Sequence, residues 1–433
     1  MPLGAMKIAY ITAGAAGNFC GSCMHDNTLV AALAAQGHDA LLIPTYTPIR
    51  TDEKDVSTQR VFFGGINVYL QQKLAFFRRT PWTLDRLLDF PALLRWVARF
   101  AVNTQASDLG DLTISVLRGE HGYQSKEIDK LVQWLASEVR PELIELTNVL
   151  LSGLVHPLKA RLGVPVVAAL QGDDIFLEAL PPKYKTEAIG LIHDHCREID
   201  GFIATSHYYA DFMAGYLGIP RERIDVVYPG LNLKGHGAPR PTTSGPPFTI
   251  GYFARVCPEK GLHVLAEAFR ILCAMPGTPP CRLAASGWLG ENDRPYFNEV
   301  VQRLRDWGLA DRFAYVESPD HDSKVRFLRL LDVLSVPTVY REPKGLYVLE
   351  ALANGVPVVQ PAHGSFPELV ELTGGGLLVK SDDPHDLAQG LRRLLDDAAV
   401  RNELGQRGKD AVHRRFTADQ MARETALIYR KYL

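Results

Sequence analysis

Two carboxylates around the start of a predicted helix are the residues of this chain best suited to chemistry. Glu342 precedes a loop that Pro343 and Gly345 predict, and Glu350 lies in a helix expected to run to residue 354. The start of a helix offers unpaired backbone N–H groups and a partial positive charge, which suit an anion. The two glutamates therefore bracket a site for a negatively charged ligand.

The separation of these glutamates limits what they can do together. Acid and base pairs of glycoside hydrolases stand about 5 to 9.5 Å apart. Glu342 and Glu350 are eight positions apart, which gives about 12 Å at about 1.5 Å of rise per residue even in a continuous helix. They are too far apart to share one bond. Their spacing suits two hydroxyl-rich ends of one extended ligand with phosphates between them, which is the layout of a nucleotide sugar.

Two cations follow a predicted strand over residues 248–253, on the turn before the next helix. Arg255 supplies a planar fork of donors and Lys260 a point charge, and both suit phosphate oxygens. Two surface cations on a loop would be the simpler interpretation if they stood alone. Together with the glutamates, they indicate a diphosphate site.

Alternating strands and helices must position these residues. Short apolar runs alternate with helical patterns along the chain, which indicates crossover connections and a mostly parallel sheet. The Gly- and Pro-rich segment 231–247 interrupts this alternation and separates two α/β units of roughly 200 residues each. Strands are predicted at residues 7–11, 40–44, 143–147, 165–170, 201–205, 224–228, 248–253, 281–286, 313–316, 332–336 and 356–360.

The composition excludes several classes of protein. Of the 433 residues, 46% are hydrophobic and 22% are charged, which is typical of a globular chain rather than a disordered or fibrous one. The net charge of −2 argues against a nucleic-acid partner. We expect no membrane span, because no apolar run reaches about 18 residues, and no secretory signal. Six cysteines in a chain of this length favour a reducing, cytoplasmic location.

Several motifs resemble those of family 4 retaining glycosyltransferases of the GT-B fold. They are the glutamate pair and residues 251–261, 332–337, 354–359 and 364–368. The resemblance covers nearly the whole chain and is strong from about residue 248 to 380. It implies an α/β protein with two Rossmann-like, doubly wound domains that face each other across a cleft.

The domain boundaries follow from the linker and this resemblance. We predict a Rossmann-like, acceptor-binding domain over residues 1–235, a linker over 236–247 and a nucleotide-sugar-binding domain over 248–415. A last helix is expected over 416–433, and packing back on the N-terminal domain is one placement for it.

The resemblance also implies roles for single residues of the C-terminal domain. Glu350 would hold the ribose hydroxyls, and Glu342 would lie beside the donor sugar. Arg255 and Lys260 would neutralise the diphosphate, so these two cations and Glu342 are the predicted catalytic residues. The backbone N–H groups expected to face the sugar and the distal phosphate belong to Gly345, Leu346 and Tyr347.

The N-terminal domain matches the family less closely. Gly17 lies in a Gly-rich loop after the first strand, where the backbone would approach the diphosphate; a plain strand-to-helix turn is an equal alternative. Many relatives have a histidine that contacts the donor sugar where this chain has Gln171. Gln171 and Asp173 are therefore the candidate sugar contacts of this domain.

The implied activity is the transfer of a hexosyl group, with retention, to an unidentified hydroxyl of a glycan, a lipid or a small molecule. UDP-glucose is the default donor. The two cations and the helix start would do a metal ion's work, so we predict no metal site and no cofactor. Two alternatives stay open, a nucleotide-sugar 2-epimerase of GT-B architecture and a non-catalytic sugar-nucleotide-binding protein.

Two other segments offer competing interpretations. Cys20 and Cys23 are spaced like a redox pair, but packing cysteines or an incidental disulfide are favoured. The segment 73–100 is basic and amphipathic, which would suit contact with a membrane or an acceptor. Amphipathic helices packed on the domain are the favoured interpretation of that segment.

Two short clusters mimic metal ligands. Residues 193–196 read His-Asp-His-Cys, but neighbours one and two positions apart do not share a helix face, so a polar helix surface is favoured. Residues 320–322 read Asp-His-Asp and are interpreted as a helix start, with Asp322 or Ser323 as the capping residue.

Overall fold

The structure is a computed structural model that describes residues 4–14, 20–58, 60–63, 106–239 and 245–433. The predictions for Gly17, for the segment 73–100 and for part of the 236–247 linker lie outside these residues. The chain divides into two compact units. The first comprises Met1–Thr205, Tyr209–Val227 and Ala422–Leu433, and the second comprises Ser206–Tyr208 and Tyr228–Met421.

A parallel sheet forms the centre of the first unit. Its strands are β1 (Lys7–Thr12), β2 (Asp39–Pro44), β3 (Leu143–Leu146), β4 (Val166–Leu170), β5 (Gly201–Ala204) and β6 (Ile224–Val226). They are ordered β2-β1-β3-β4-β5-β6. β3, β4 and β5 are buried along their whole length, as expected where helices cover both faces of a parallel sheet.

The described helices of this half of the chain connect or flank these strands. They are α1 (Gly21–Ala35), α2 (Ala106–Leu117), α3 (Ser125–Trp134), α4 (Val155–Leu162), α5 (Asp173–Glu178), α6 (Pro182–His195) and α7 (His207–Leu217). A π-helical turn over Leu135–Val139 continues α3.

The second unit repeats this architecture. Its strands are β7 (Phe248–Phe253), β8 (Cys281–Ser286), β9 (Phe313–Val316), β10 (Val333–Leu334), β11 (Val358–Pro361) and β12 (Gly376–Val379). They form a parallel sheet in the order β12-β11-β10-β7-β8-β9. Its core includes Ile250, Phe269, Leu283 and Val358.

Helices again link the strands of the second unit. They are α8 (Leu262–Ala274), α9 (Arg294–Asp306), α10 (His321–Arg329), α11 (Leu346–Ala353), α12 (Phe366–Thr373), α13 (Pro384–Asp396) and α14 (Ala398–Arg415). The last helix, α15 (Ala418–Tyr429), begins in the second unit and ends in the first. In the first unit, the Tyr429 hydroxyl donates to Glu145 of β3.

The prediction of two doubly wound α/β units is confirmed. Each predicted strand has a counterpart, although β10 is only two residues long. β12 was not predicted, because it is a short apolar run directly after Gly374 and Gly375. Among the described residues, no helix is both long and apolar enough to span a lipid bilayer.

Each sheet has one point where the strand order reverses. In the second unit this point lies between β7 and β10, and in the first it lies between β1 and β3. Open α/β sheets bind ligands at such points, outside the carboxyl ends of the strands. The loops that follow β7 and β10, and those that follow β1 and β3, are therefore the places where a site is expected.

Candidate functional site

The loops after β7 and β10 meet at the reversal point of the second sheet. The Val339 N–H donates to the Glu259 carbonyl over 3.0 Å. Gly261, at φ +74°, lies so close to the other loop that an added Cβ would be 1.8 Å from the Pro337 carbonyl oxygen. Only glycine fits there, because it tolerates positive φ and has no side chain. This close approach brings Lys260 and Glu342 together.

Lys260 and Glu342 form the centre of the site. The Lys260 Nζ donates to Glu342 Oε2 over 2.6 Å. The same oxygen accepts hydrogen bonds from the hydroxyls of Tyr340, at 2.8 Å, and Tyr347, at 2.9 Å. Lys260 also donates to the Tyr340 hydroxyl. Glu342 is only 4% exposed, so nearly all of its surroundings are these partners.

These partners determine the charge of Glu342. Burial alone would raise the pKa of Glu342, but the charge of Lys260 and hydrogen bonds from Lys260, Tyr340 and Tyr347 lower it to about 2. The carboxylate is therefore ionised at neutral pH. It can accept hydrogen bonds and stabilise positive charge, but it cannot act as a proton donor there.

Arg255 lies on the loop after β7 and is exposed to solvent. Its Nε donates to the Cys257 sulfur over 3.3 Å, and its carbonyl accepts a hydrogen bond from the buried Tyr252 hydroxyl over 2.9 Å. Burial would lower the pKa of Arg255, but Cys257, Glu259 and Asp293 together raise it. Arg255 is thus a permanent cation on the same loop as Lys260.

The start of α11 supplies two backbone donors to Glu342. Gly345 precedes the helix at φ +64°, and its N–H donates to Glu342 Oε1 over 3.3 Å, as does the Lys344 N–H. The carboxylate of Glu342 therefore accepts a hydrogen bond from the Gly345 N–H, and the contact of this N–H with a donor stays a prediction. Leu346 is the first residue of α11, and Tyr347 contributes its hydroxyl to Glu342.

Glu350, one turn into α11, has a partner that the sequence interpretation missed. Lys324 of α10 donates to Glu350 Oε1 over 2.7 Å, and the side chains of Lys324 and Glu350 are 5% and 7% exposed. A signal for Lys324 was present, because it shares the apolar face of its helix with Phe327 and Leu328, three and four positions on. A lysine among buried apolar positions needs an acidic partner.

The candidate sugar contacts of the first unit lie after β4 and are buried. The Asp173 carboxylate accepts hydrogen bonds from the backbone N–H groups of Val149, at 2.8 Å, and Gln171, at 2.9 Å. Burial raises the pKa of Asp173 to about 6 against these hydrogen bonds. Asp173 therefore shapes the loop around Gln171, and a sugar contact by either residue stays a prediction.

Asp26 of α1 was missed by the sequence interpretation. It is fully buried and accepts hydrogen bonds from side chains at the carboxyl ends of β1, β3 and β4, including Gln171 Nε2 at 2.9 Å. The signal was a carboxylate on an apolar stripe, since Asp26, Leu29, Val30 and Leu33 lie at helical spacing and all are buried.

The clusters that mimic metal sites have structural roles. Asp320, rather than Asp322 or Ser323, is the capping residue of α10: its carboxylate accepts the Ser323 N–H over 2.7 Å, and the Ser323 hydroxyl faces back in a capping box. In α6, His193 contacts the Leu217 carbonyl. Within the described ranges, no three His, Cys, Asp or Glu side chains are grouped to hold a metal ion. The structure records no disulfide among the six cysteines, all of which it describes.

The fold is that of a doubly wound α/β protein, with Lys260 and Glu342 paired at the reversal point of its second sheet. A model of the glycosyl transferases group 1 family matches residues 239–411, and a model of the glycosyl transferase 4-like domain matches residues 27–230. The chain belongs to this family of glycosyltransferases. The resemblance of the motifs to GT-B glycosyltransferases is thereby confirmed.

Curated relatives carry glycosyltransferase names. The chain is 29% identical to the lipopolysaccharide core biosynthesis mannosyltransferase LpsB of Rhizobium meliloti over 245 residues. This match covers 54% of this chain and 66% of that protein. It is 31% identical over 298 residues to the D-inositol 3-phosphate glycosyltransferase of Streptomyces bingchenggensis, covering 64% and 61%. The chain therefore spans less than two thirds of the length of both relatives.

Solved structures share the fold over 98% of the chain. HepE of Anabaena, crystallised with UDP and glucose, superposes with a TM-score of 0.67 at 18% identity and covers 98% of this chain and 100% of its own. Sucrose-phosphate synthase of Thermosynechococcus elongatus gives a TM-score of 0.72 at 19% identity, covering 98% of each chain. At these identities, the similarity supports the fold.

Proposed function

We propose that the protein transfers a hexosyl group from a nucleotide diphosphate sugar to an acceptor hydroxyl, with retention of the anomeric configuration. The observation that carries the proposal is the contact of Lys260 with Glu342 at the reversal point of the second sheet, with Arg255 on the same loop as Lys260. Glu350 lies one turn into α11, where it pairs with the buried Lys324. Cations for a diphosphate thus stand beside carboxylates for the hydroxyls of a sugar and a ribose.

The reaction begins with cleavage of the bond between the anomeric carbon and the distal phosphate oxygen. The electron pair of that bond goes to the phosphate oxygen, and Arg255 and Lys260 stabilise the charge that develops there. The acceptor oxygen bonds to the anomeric carbon from the same face. Its proton passes to the leaving phosphate oxygen, so no protein base is required.

Glu342 positions the donor sugar in this proposal and forms no covalent bond to it. Its carboxylate accepts hydrogen bonds from Lys260, two tyrosine hydroxyls and two backbone N–H groups. A carboxylate so fully engaged is a weak nucleophile but a well-fixed hydrogen-bond acceptor. Glu342→Gln is therefore expected to lower turnover more than nucleotide binding, and Glu350→Ala mainly to weaken donor binding.

UDP-glucose is the proposed default donor, and Gln171 the proposed contact to its sugar in the first unit. HepE of Anabaena was crystallised with UDP-glucose, which supports trying this donor first. The LpsB relative is named a mannosyltransferase, so GDP-mannose is the second choice. We propose an acceptor that binds the first unit and a cytoplasmic location.

A panel of UDP, GDP and ADP sugars tests the proposal through thermal unfolding. A ligand at 100 times its dissociation constant stabilises a protein by about 2.7 kcal/mol, enough for a clear shift. The donor that shifts the wild type should lose most of its effect with Glu350→Ala. Incubation with that donor alone should give no isomer of it. An isomerised sugar would identify an epimerase instead, and a panel without any shift would contradict the proposal.

A further inference from the structure

Cys273 and Cys281 lie at the two ends of the connection between α8 and β8. We propose that they form a site of thiol–disulfide exchange, in which Cys273 attacks a low-molecular-weight disulfide and Cys281 then closes a disulfide within the protein. Cys281 is the first residue of β8, whereas the proposed donor site follows the carboxyl ends of β7 and β10 in the same parallel sheet. The two sites are therefore at opposite edges of the sheet, and this proposal does not depend on the function given above.

The connection between the two cysteines is short and folds back on the end of α8. Seven residues separate the cysteines. The Thr278 hydroxyl lies 2.8 Å from the Leu272 carbonyl oxygen and 2.9 Å from that of Met275, close enough to donate to either. The Arg392 guanidinium donates to the Thr278 hydroxyl over 2.8 Å and to the carbonyl oxygens of the two residues before it. The end of α8 and the start of β8 are thus held close together.

Arg312 places the Cys273 sulfur beside the start of β8. Its Nη1 donates to that sulfur over 3.5 Å. Arg312 directly precedes β9, whose first residue, Phe313, pairs with Leu283 of β8. Cys281 is two positions before Leu283, so its side chain lies on the same face of the strand. The contact with Arg312 therefore brings the Cys273 sulfur to the edge of the sheet at which Cys281 begins its strand.

The surroundings of the two sulfurs give them different roles. A hydrogen bond from Cys281, together with the hydrogen bond and the charge of Arg312, holds the pKa of Cys273 below its ordinary value, although burial opposes this. The hydrogen bond to Cys273 and burial raise the pKa of Cys281. The thiolate is the form of cysteine that attacks a disulfide. Cys273, which is also partly exposed, is therefore the attacking residue, and the buried Cys281 reacts second.

The exchange consists of two displacements at sulfur. The Cys273 thiolate bonds to one sulfur of the small disulfide, whose S–S bond breaks, and the other sulfur leaves with the electron pair and takes up a proton from solvent. Cys281 then releases its proton and bonds to the Cys273 sulfur, which expels the second small thiol in the same way. The two cysteines are oxidised to a disulfide and the small disulfide is reduced to two thiols, so no other oxidant is required.

Oxidised glutathione is the probe, and peptide mapping by mass spectrometry is the readout. The folded protein is incubated with the probe at neutral pH, the remaining thiols are blocked, and the protein is digested without reductant. The wild type should give a peptide pair cross-linked through Cys273 and Cys281. Cys281→Ser should stop with glutathione bound to Cys273, and Cys273→Ser should leave Cys281 unmodified, because Cys281 is only 3% exposed.

Cys196 is the internal control in each sample. It is buried, and burial raises its pKa to about 12, so it should stay unmodified. A wild type in which Cys273 reacts no faster than Cys196 would overturn the proposal. Glutathione that stays on Cys273 of the wild type without a cross-link would overturn the role of Cys281. The wild-type measurement decides by itself if a cysteine variant does not fold.

The role of Arg312 is tested by the rate at which iodoacetamide alkylates Cys273. Arg312→Gln should move the midpoint of the pH dependence to higher pH and lower the rate at neutral pH about two- to fivefold, the size expected for an exposed charge pair. Arg303→Gln is the matched control, because Arg303 is also exposed but pairs with Glu299 of its own helix, α9. That control should leave the rate unchanged. Equal rates in Arg312→Gln and the wild type would overturn the role of Arg312.

Discussion

Lys260 and Glu342 are 82 positions apart in the chain, yet the Lys260 ammonium lies 2.6 Å from the Glu342 carboxylate. Both side chains are largely buried, at 16% and 5% exposure. The pair joins the loop after β7 to the loop after β10 at the reversal point of the sheet. It therefore combines two roles: it holds the two loops together and it keeps a cation and an anion in the proposed donor site.

Removing the lysine of this pair should destabilise the protein strongly. Lys260→Met leaves the Glu342 charge buried without its cation, and breaking a buried pair in this way costs about 3–5 kcal/mol. Lys185→Met is the matched control, because Lys185 pairs with Glu178 at the same 2.6 Å but at 33% and 50% exposure. That exposed pair should contribute about 0–1 kcal/mol. Urea unfolding measures the free energy of unfolding of both variants. An equal decrease in the two would contradict a special role for Lys260.

Acidification should lower the free energy of unfolding, because it protonates Glu342. Its pKa is lowered from 4.5 to about 2 in the folded protein, so its stabilisation is present above about pH 4.5 and is lost as the pH falls toward 2. The full effect is about 3 kcal/mol, at about 1.4 kcal/mol per pKa unit. Urea unfolding of the wild type and of Glu342→Gln between pH 7 and 2.5 measures it. The difference in unfolding free energy should shrink with acid, and parallel curves would contradict the assignment.

The buried pair of Lys324 and Glu350 should show strong coupling. Lys324→Met leaves a buried carboxylate without its cation, and Glu350→Gln leaves a buried ammonium without its anion. Each substitution should therefore lower the free energy of unfolding by about 3–5 kcal/mol. The double variant removes both charges and should lose clearly less than the sum. Unfolding free energies give the coupling, and UDP binding by the double variant reports on the ribose contact. Additive losses would mean that the two side chains do not depend on each other.

The proposed reaction needs no divalent cation, because Arg255 and Lys260 stabilise the leaving diphosphate. Turnover with the donor that the panel selects should therefore survive treatment with EDTA. Adding Mg²⁺ or Mn²⁺ afterwards should change the rate little. Loss of turnover with EDTA and its recovery with either ion would show that a metal does the work assigned to the two cations.

The strands and the charged loops of this protein were predictable from its sequence. Strands and charged loops were identifiable because buried parallel strands are continuous apolar runs, and because Arg255 and Lys260 follow one of them directly. Lys324 and Asp26 were missed, since each is a single charge on an apolar helix face whose partner lies far away in the chain. The contact between the Gly345 N–H and Glu342 was also not anticipated, because it depends on the conformation of the loop between them.

In the proposed reaction, the charges at the reversal point of the second sheet hold the donor. A crystal structure of the protein with UDP-glucose tests this claim. We expect the diphosphate within hydrogen-bond distance of Arg255 and Lys260, and the ribose hydroxyls on the carboxylate of Glu350. A nucleotide bound away from these three side chains would contradict the claim.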